Sequence, residues 1–556
     1  MIRNKYSTIV VGAGIGGLTA AVYLTKNKID TLLIDKNEKP GGLVNTFIYN
    51  GFKFDGGARA FENSGVIFPM LKQLGIDIDF VHNPVSVGIG TEVIDFISEK
   101  SLKDYENLLC NAYPDNTAEI ALIIKEIDKV IGYMSVIYGI DNPMFTDKFT
   151  DKEYVFKELL PWLIKYNVNI KKAQKLNQPV EEYLHKFTDN QSLIDIIIQH
   201  FFKDTPTFFA LSYFGQYLDY SYPLGGTGVL ADKMAEYITK GNNNILTEYE
   251  VISVDVKDKK ITLNDNQIIS YDYLIWAADL RILYSGLDVS KMSGRERDIN
   301  MKTRKKVFNG HGSDSILSVF IGTDLNTEYF KGKIKGHCFY TPDKKGLSTS
   351  MMRKWEDVLK QGSKEDEFII LQEITKEYLS LTTYEISIPS LRDESMSPPG
   401  KTGVIVSTLM DYNIFKYLKE NNRYEKFKEY CTDIIVEVLD KSIFPGIKEK
   451  TTFTICATPL TIEKATKGLE GSITGWSYSN DMPVKSDLKE IISAPVTNIK
   501  DVYKAGQWAF YPSGVPTCII TGKLAADKVI KKAVRNYDIQ YYANYNRINM
   551  QYHTVL

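Results

Sequence analysis

Cysteine is scarce in this chain, and what there is stands apart. Cys110, Cys338, Cys431, Cys456 and Cys518 form no CxxC pair. A zinc site or disulfide framework is therefore not expected, and a reducing cytoplasm is. The six histidines show no HExxH or paired spacing, so no metal is expected either. Blocks of like charge are missing too. The 67 basic and 69 acidic residues leave a net charge of −2, and nothing points to nucleic acid. No apolar run reaches the roughly 18 residues of a membrane span. The first strand begins almost at the N-terminus, with no signal peptide expected ahead of it. Internal repeats and low-complexity linkers are lacking as well.

What is there is a long, apolar, aromatic-rich chain. At 556 residues it has room for about three to four domains. With 44% hydrophobic residues it can bury a large core. The 35 tyrosines and 26 phenylalanines fit core packing, or a pocket lined for a long apolar ligand.

The most informative stretch runs from Ser7 to Ala21. Ile9 to Val11 reads as a buried parallel strand that breaks at Gly12, where a tight turn suits a residue without Cβ. Gly14 would let the backbone approach a pyrophosphate, and Gly17 would let the next helix pack on the strand. Ile15, Leu18 and Val22 give that helix an apolar face. Its free N–H groups point back at the turn, which makes an anion site. A second strand, Thr31 to Ile34, ends in Asp35, where dinucleotide folds place an acid on the ribose hydroxyls. Strand, glycines, helix, strand and acid occur in order, so a dinucleotide site is expected here.

Further along, Thr46 to Asp55 reads as a hairpin around Asn50-Gly51. Gly56-Gly57-Ala58-Arg59 follows, with glycines that permit close approach to a flat cofactor and an arginine that suits an anion or a protein acid. From about Asp104 to Leu218 helical spacing takes over. Ile120, Leu122, Ile123, Ile127, Val130, Ile131 and Met134 form one stripe, and Leu193 to Phe202 another; such an insertion could cap a cleft. A helix is expected from Val229 to Ile238, then strands over Ile245 to Val256, Lys259 to Leu263 and Tyr273 to Asp279. Further strands are expected over Ser315 to Gly322, His337 to Thr341, Glu367 to Gln372, Tyr384 to Pro389, Thr402 to Leu409 and Thr451 to Ala457. A helix carries Phe427, Cys431, Ile434, Val438 and Leu439. Val502 to Ala505, a loop from Gly506 to Pro516 and a helix from Thr517 to Lys532 make a second loop-to-helix device. The reading is α/β. A discontinuous Rossmann-type nucleotide-binding domain (1–103, 219–285 and 490–535) interleaves with a helical cap (104–218) and a mixed-sheet substrate domain (286–489). A polar tail (536–556) follows, with no assigned role.

Five stretches carry a family resemblance. They are Gly12 to Gly17 with Asp35 and Gly41-Gly42; Gly51 to Gly57; Tyr222 to Thr227; Ile388 to Gly400; and Thr458 to Thr461 with Glu470 to Trp476. The Gly506 to Gly522 segment adds a sixth. Together they resemble the flavin-dependent phytoene desaturase, carotenoid isomerase and retinol saturase family, within the amine oxidase group. The resemblance implies an extended, non-covalently bound FAD. Gly12, Ala13, Gly14, Ile15, Gly16 and Gly17 would cradle its pyrophosphate. Asp35 and Lys36 would hold the ribose, Gly42 would lie nearby, and Val251 would meet the adenine. Gly57, Ala58, Gly506, Trp508, Val515 and Pro516 would lie near the isoalloxazine. Leu43 and Thr517 depart from the family pattern.

The implied activity is desaturation, saturation or isomerisation of a lipophilic unsaturated substrate such as an isoprenoid, carotenoid or unsaturated fatty acid. NAD(P) or a quinone is a possible electron partner, and peripheral membrane contact is possible. Arg59, Glu62 and Tyr511 are candidate acid–base groups; Arg59, Phe61, Trp508 and Tyr511 are candidate substrate contacts. Two alternatives remain: a flavin amine oxidase acting on a polar amine, and a flavin-free protein that binds lipid or prenylated proteins.

Overall fold

The computed structural model describes residues 2–148, 151–360, 364–478 and 482–553. The chain forms two compact units, one of residues 1–42, 231–310 and 481–556, the other of 43–230 and 311–480.

The first unit is built on a seven-stranded sheet. Its strands are β1 (Lys5–Val11), β2 (Thr31–Ile34), β10 (Asn244–Leu246), β11 (Val251–Asp255), β12 (Lys260–Leu263), β13 (Ile268–Trp276) and β19 (Val502–Lys504). The order is β10-β2-β1-β13-β12-β11, with β19 also paired to β13. β10, β2, β1, β13 and β19 run parallel, as a doubly wound nucleotide fold requires, while β12 and β11 return antiparallel. The helix Ile15–Lys26 follows β1 and is buried along almost its whole length. The strand expected over Ile245 to Val256 is broken. Glu248 takes a left-handed φ of 65°, and the two halves pair with different strands, β10 with β2 and β11 with β12.

The second unit carries the remaining strands. β3 (Thr46–Tyr49) and β4 (Phe52–Asp55) form the expected hairpin. Asn50 and Gly51 both adopt positive φ, 50° and 82°, as a two-residue turn of this hand requires. β5 (Phe61–Glu62), β9 (Tyr220–Pro223) and β6 (Phe80–His82) form a small sheet in that order. The large sheet orders β18 (Thr451–Ala457), β14 (Ser315–Thr323), β17 (Thr402–Met410), β16 (Tyr384–Ser387), β15 (His337–Thr341), β7 (Val85–Ile89) and β8 (Glu92–Phe96). Only β15 and β7 pair in parallel.

Four further sequence expectations change. Residues 43–103 pack with the second unit, because β7 and β8 extend its large sheet, and residues 286–310 pack with the first. The strand expected over Glu367 to Gln372 is part of a helix, Lys364–Leu381. Leu371, Ile374 and Leu379 are buried while Ile369 is exposed, so the apolar run is one wide helical face. Leu122 is exposed, although Ile120, Ile123, Ile127, Val130 and Met134 of its helix, Thr117–Tyr138, are buried. The expected closing helix begins at Val515 and runs to His553, through most of the stretch read as a tail.

Local geometry explains why the nucleotide turn closes so tightly. A Cβ placed on Gly17 would lie 1.8 Å from the Gly12 carbonyl oxygen. The first helical turn therefore sits on the glycine turn with no space for a methyl group. Gly17→Ala is expected to lower stability by about 1–3 kcal/mol through overpacking, read as the urea unfolding midpoint. An unchanged midpoint would mean that this contact gives way without cost.

Candidate active site

In the first unit the glycine turn gathers most of the residues expected to hold a dinucleotide. Gly14 precedes the helix Ile15–Lys26, which has no side-chain cap and no acid in its first turn. A Cβ on Gly14 would meet no protein atom within 4 Å. The turn thus offers uncapped N–H groups, and Gly14's missing side chain serves no internal packing. These observations fit a pyrophosphate group. Gly16 has a different role. A Cβ there would lie 2.5 Å from Gly506 Cα, so Gly16 and Gly506 are the point where the C-terminal segment meets the helix start. Gly506 takes φ 77°, and its N–H donates to Thr521 Oγ1 at 3.1 Å.

Asp35 stands at the end of β2 and holds the turn itself. The Ala13 N–H donates to one carboxylate oxygen at 2.6 Å and the Asn37 N–H to the other at 2.8 Å. The Gly41 N–H donates to the Ala13 carbonyl at 2.8 Å, which brings the Gly41-Gly42 pair alongside. Lys36 Nζ lies 3.4 Å from Asn37 Oδ1. The Glu248 and Tyr249 N–H groups donate to Asn37 and Asp35 carbonyls at 3.1 Å each, so Val251 follows a segment running beside the acid. Trp508 and Tyr511 are buried in this unit, and Val515 and Pro516 open the closing helix, half-buried.

The remaining candidates fall in the second unit. Gly57 is required by the protein's own packing, since a Cβ there would lie 1.9 Å from the Leu43 carbonyl oxygen. The Ala58 N–H donates to that same carbonyl at 3.0 Å. Phe61 is fully buried. Arg59 is only 3% exposed. Its guanidinium donates to the Asp55 carbonyl, to Ser407 Oγ at 3.0 Å and to Ser318 Oγ at 3.4 Å. Burial pulls its pKa down, and the nearby Glu385 and Asp55 oppose that. Its hydrogen bonds thus go to a backbone carbonyl and two serines, and neither the Asp55 nor the Glu62 carboxylate accepts from it.

Asp55 is the centre of this region. Thr46 Oγ1, the Thr227 N–H and Thr227 Oγ1 donate to Oδ1 at 2.9, 2.8 and 3.1 Å. Tyr222 OH donates to Oδ2 at 2.7 Å. Arg392 lies 3.9 Å over the Tyr222 ring and donates to the Arg59 carbonyl, Asn83 Oδ1 and Ser387 Oγ at 3.1, 3.2 and 2.6 Å. Asp393 accepts from the Gly225 N–H at 2.7 Å. Three of the family-like stretches therefore meet in one polar cluster.

Two further groups, His337 and Glu385, adjoin it. His337 Nε2 stands 3.0 Å from Glu385 Oε1, without hydrogen-bond alignment. Burial lowers the histidine pKa, and Arg392 and Arg59 push it the same way. Burial pushes Glu385 up, but His337 and the two arginines outweigh it and hold the carboxyl below its ordinary value. The pair is therefore a neutral imidazole beside a carboxylate. Sequence reasoning missed Arg392, His337 and Glu385. Arg392 alone carried a signal, as a charge inside the Ile388 to Gly400 motif.

Glu62 on β5 behaves differently. Burial, with Asp219 nearby, raises its pKa to about 7, which suits a group that exchanges protons at neutral pH. Beside β7 and β15 a small internal cavity of about 10 Å³ is walled by Val87, Ile89, Tyr105, Ile196, Phe214, Tyr217 and Phe339. His200, Thr341 and Thr383 are its polar points. Tyr217 OH lies 3.0 Å from His200 Nε2, and burial lowers the His200 pKa to about 3, keeping it neutral. The helices Ser101–Ala112, Thr117–Tyr138, Gln191–Ile198 and Thr207–Gln216 supply the apolar layer over this part of the sheet.

Residues 10–74 match the NAD(P)-binding Rossmann-like domain. All-trans-retinol 13,14-reductase of Danio rerio is 23% identical over 91% of this chain and 83% of its own length. Prolycopene isomerase of Daucus carota is 21% identical over 95% and 80%. The 4,4'-diapophytoene desaturase of Staphylococcus aureus is 22% identical over 95% and 99%. The chain resembles this family from end to end. Among solved structures, wild-type putrescine oxidase bound to putrescine aligns with TM-score 0.57 at 12% identity. The alignment covers 95% of this chain and 99% of that one, and it shows the shared fold. The resemblance read from scattered motifs thus extends between them.

Glu62 gives the site a measurable pH dependence. A carboxyl that keeps its proton to about pH 7 in the folded chain, but loses it at the ordinary carboxylate pKa when unfolded, opposes folding once deprotonated. Its full contribution to stability is present at pH below the unfolded value and is lost as the pH rises through 7. Glu62→Gln is expected to flatten the fall in melting temperature between mildly acidic and mildly alkaline buffer. An equal fall in variant and wild type would place the titrating group elsewhere.

Proposed function

We propose that this protein is an FAD-dependent oxidoreductase or isomerase acting on carbon–carbon bonds of a lipophilic, unsaturated substrate. The observation that carries the reading is the uncapped glycine turn, where Gly14 faces no protein atom while Gly16 and Gly17 are locked by packing. Backbone N–H groups of Gly12 to Gly17 would hold the pyrophosphate, with Asp35, Lys36 and Val251 toward the adenosine end. Trp508, Val515 and Pro516 would face the flavin ring. When bound, FAD supplies hydride acceptance or donation at its N5. NAD(P) or a quinone would serve as its electron partner.

The chain's own residues do the rest. The aromatic and aliphatic side chains around the small cavity would help exclude water. Glu62 holds a proton near neutrality and can pass it on. His337, with Arg59 and Arg392, holds the Glu385 carboxyl below its ordinary value. Relatives named for retinol, prolycopene and diapophytoene chemistry favour an unsaturated lipophilic substrate over the amine of the alternative reading.

Two measurements test this. Gly14→Val is expected to abolish FAD binding, because a branched side chain fills the place of the pyrophosphate. Asp35→Ala is expected to weaken it by about 1–3 kcal/mol, partly by releasing the Ala13 N–H. A Gly14→Val protein that folds and purifies fully yellow overturns the cofactor placement, and a wild type that releases no FAD on heating supports the flavin-free alternative.

Substrate class is read by mixing the protein with isoprenoids, fatty acids or amines without oxygen. Bleaching by an unsaturated lipid, or rearrangement of its double bonds seen by chromatography, is the expected outcome. Bleaching by amines alone would favour the amine oxidase reading.

A further inference from the structure

We propose that the helical segment 155–174 is a membrane-docking surface that lays an apolar face into an anionic lipid bilayer. The segment comprises a π-helical turn, Val155–Leu159, and the helix Leu160–Gln174. It is apolar on two sides. One side, with Leu159, Trp162, Ile170 and Ala173, faces the protein. Leu159, Ile170 and Ala173 are buried, and Trp162 Nε1 donates to the Val136 carbonyl at 2.8 Å. That side is accounted for by packing on the helix Thr117–Tyr138.

The other side has no such partner among the described residues. Phe156, Ile164 and Val168 are 66%, 70% and 51% exposed, and Leu160 and Leu163 are exposed beside them. Their spacing follows i, i+4 and i+7 or i+8, so they share one helical face. A soluble surface scatters its exposed apolar residues singly, whereas a contiguous apolar stripe marks an interaction site.

Charge identifies the occupant. Between Leu159 and Val180 the chain has no acidic residue but carries Lys165, Lys171, Lys172 and Lys175, all exposed. An apolar stripe continued by lysines matches a bilayer interface, where the stripe enters the acyl boundary and the lysines meet anionic headgroups. No helix among the described residues is long and apolar enough to cross a membrane, and docking of this kind needs none. The proposal takes its purpose from the lipophilic-substrate reading, because such a substrate resides in a lipid phase. Vesicle binding is measured without turnover, so either can fail alone.

The test is flotation of the full-length purified protein with phosphatidylcholine vesicles, with and without phosphatidylglycerol. Wild type is expected to float with the anionic vesicles and to be released by high salt. Phe156→Asp with Ile164→Asp is expected to weaken partitioning roughly tenfold or more with an unchanged melting temperature. Leu122→Ser, at an exposed position on the helix Thr117–Tyr138, is expected to have no effect. Hydrogen exchange of the wild type, with and without vesicles, is expected to show new protection centred on residues 155–175, independently of any variant. A wild type that stays with the soluble fraction, or vesicle binding without protection there, overturns the proposal. So does a self-associating wild type that the double variant turns monomeric without vesicles, which would make the stripe an interface between copies.

Discussion

The Asp55 carboxylate is the constraint on which the second unit turns. A buried carboxylate is costly unless its oxygens are fully engaged. Here both oxygens accept, from Thr46, Thr227 and Tyr222. These donors come from the start of the hairpin and from a stretch some 170 residues away in sequence, as the separation of 172 between Asp55 and Thr227 shows. Tyr222 in turn supports the Arg392 guanidinium on its ring, and Arg392 holds the Arg59 carbonyl. Removing any one member strands another buried polar group. The family-like stretches Gly51 to Gly57, Tyr222 to Thr227 and Ile388 to Gly400 are therefore one physical object.

That linkage explains what could be read from the sequence. The βαβ start was legible because its signals are local: an apolar strand, a glycine turn, an amphipathic helix and an acid, all within the first 35 residues. The hairpin at Asn50-Gly51 was legible for the same reason. Arg59 was recognised as a charge in need of a partner, but its serine partners lie 259 and 348 residues away, beyond any local pattern. Glu385 and His337 sit on ordinary-looking strands, and only the tertiary fold shows that they stand together. The segment Glu367 to Gln372 misled because a dense apolar run suits either a buried strand or a wide helical face.

The glycines make a related point about motifs. In Gly12 to Gly17, the family resemblance implies that every glycine serves the ligand, although the spacing already gives Gly12 to the turn and Gly17 to packing. The structure divides the work. Gly17 is dictated by the Gly12 carbonyl and Gly16 by Gly506, so both would be needed for packing alone. Gly14 is the one whose missing side chain answers to nothing inside the protein. Asp35 also has two duties, since it fixes the turn through the Ala13 N–H before it can meet a ribose. A motif match therefore identifies a turn more directly than it identifies contacts.

Under the proposed reading the two units divide the chemistry accordingly. Cofactor recognition in the first unit rests largely on backbone geometry, which a fold can preserve while most side chains change. That is consistent with an alignment over almost the whole chain to putrescine oxidase at 12% identity. Substrate choice must instead be written in side chains, and those distinguish this protein. The layer of tyrosine, phenylalanine and aliphatic side chains around the small cavity, with a neutral His200 and two threonines as polar points, offers dispersion and water exclusion rather than charge pairing. The charges nearby are held mostly by neutral partners: Asp55 by Thr46, Thr227 and Tyr222, Arg59 by a carbonyl and two serines, and Arg392 by a carbonyl, Asn83 and Ser387. This arrangement suits bonds that carry no charge of their own.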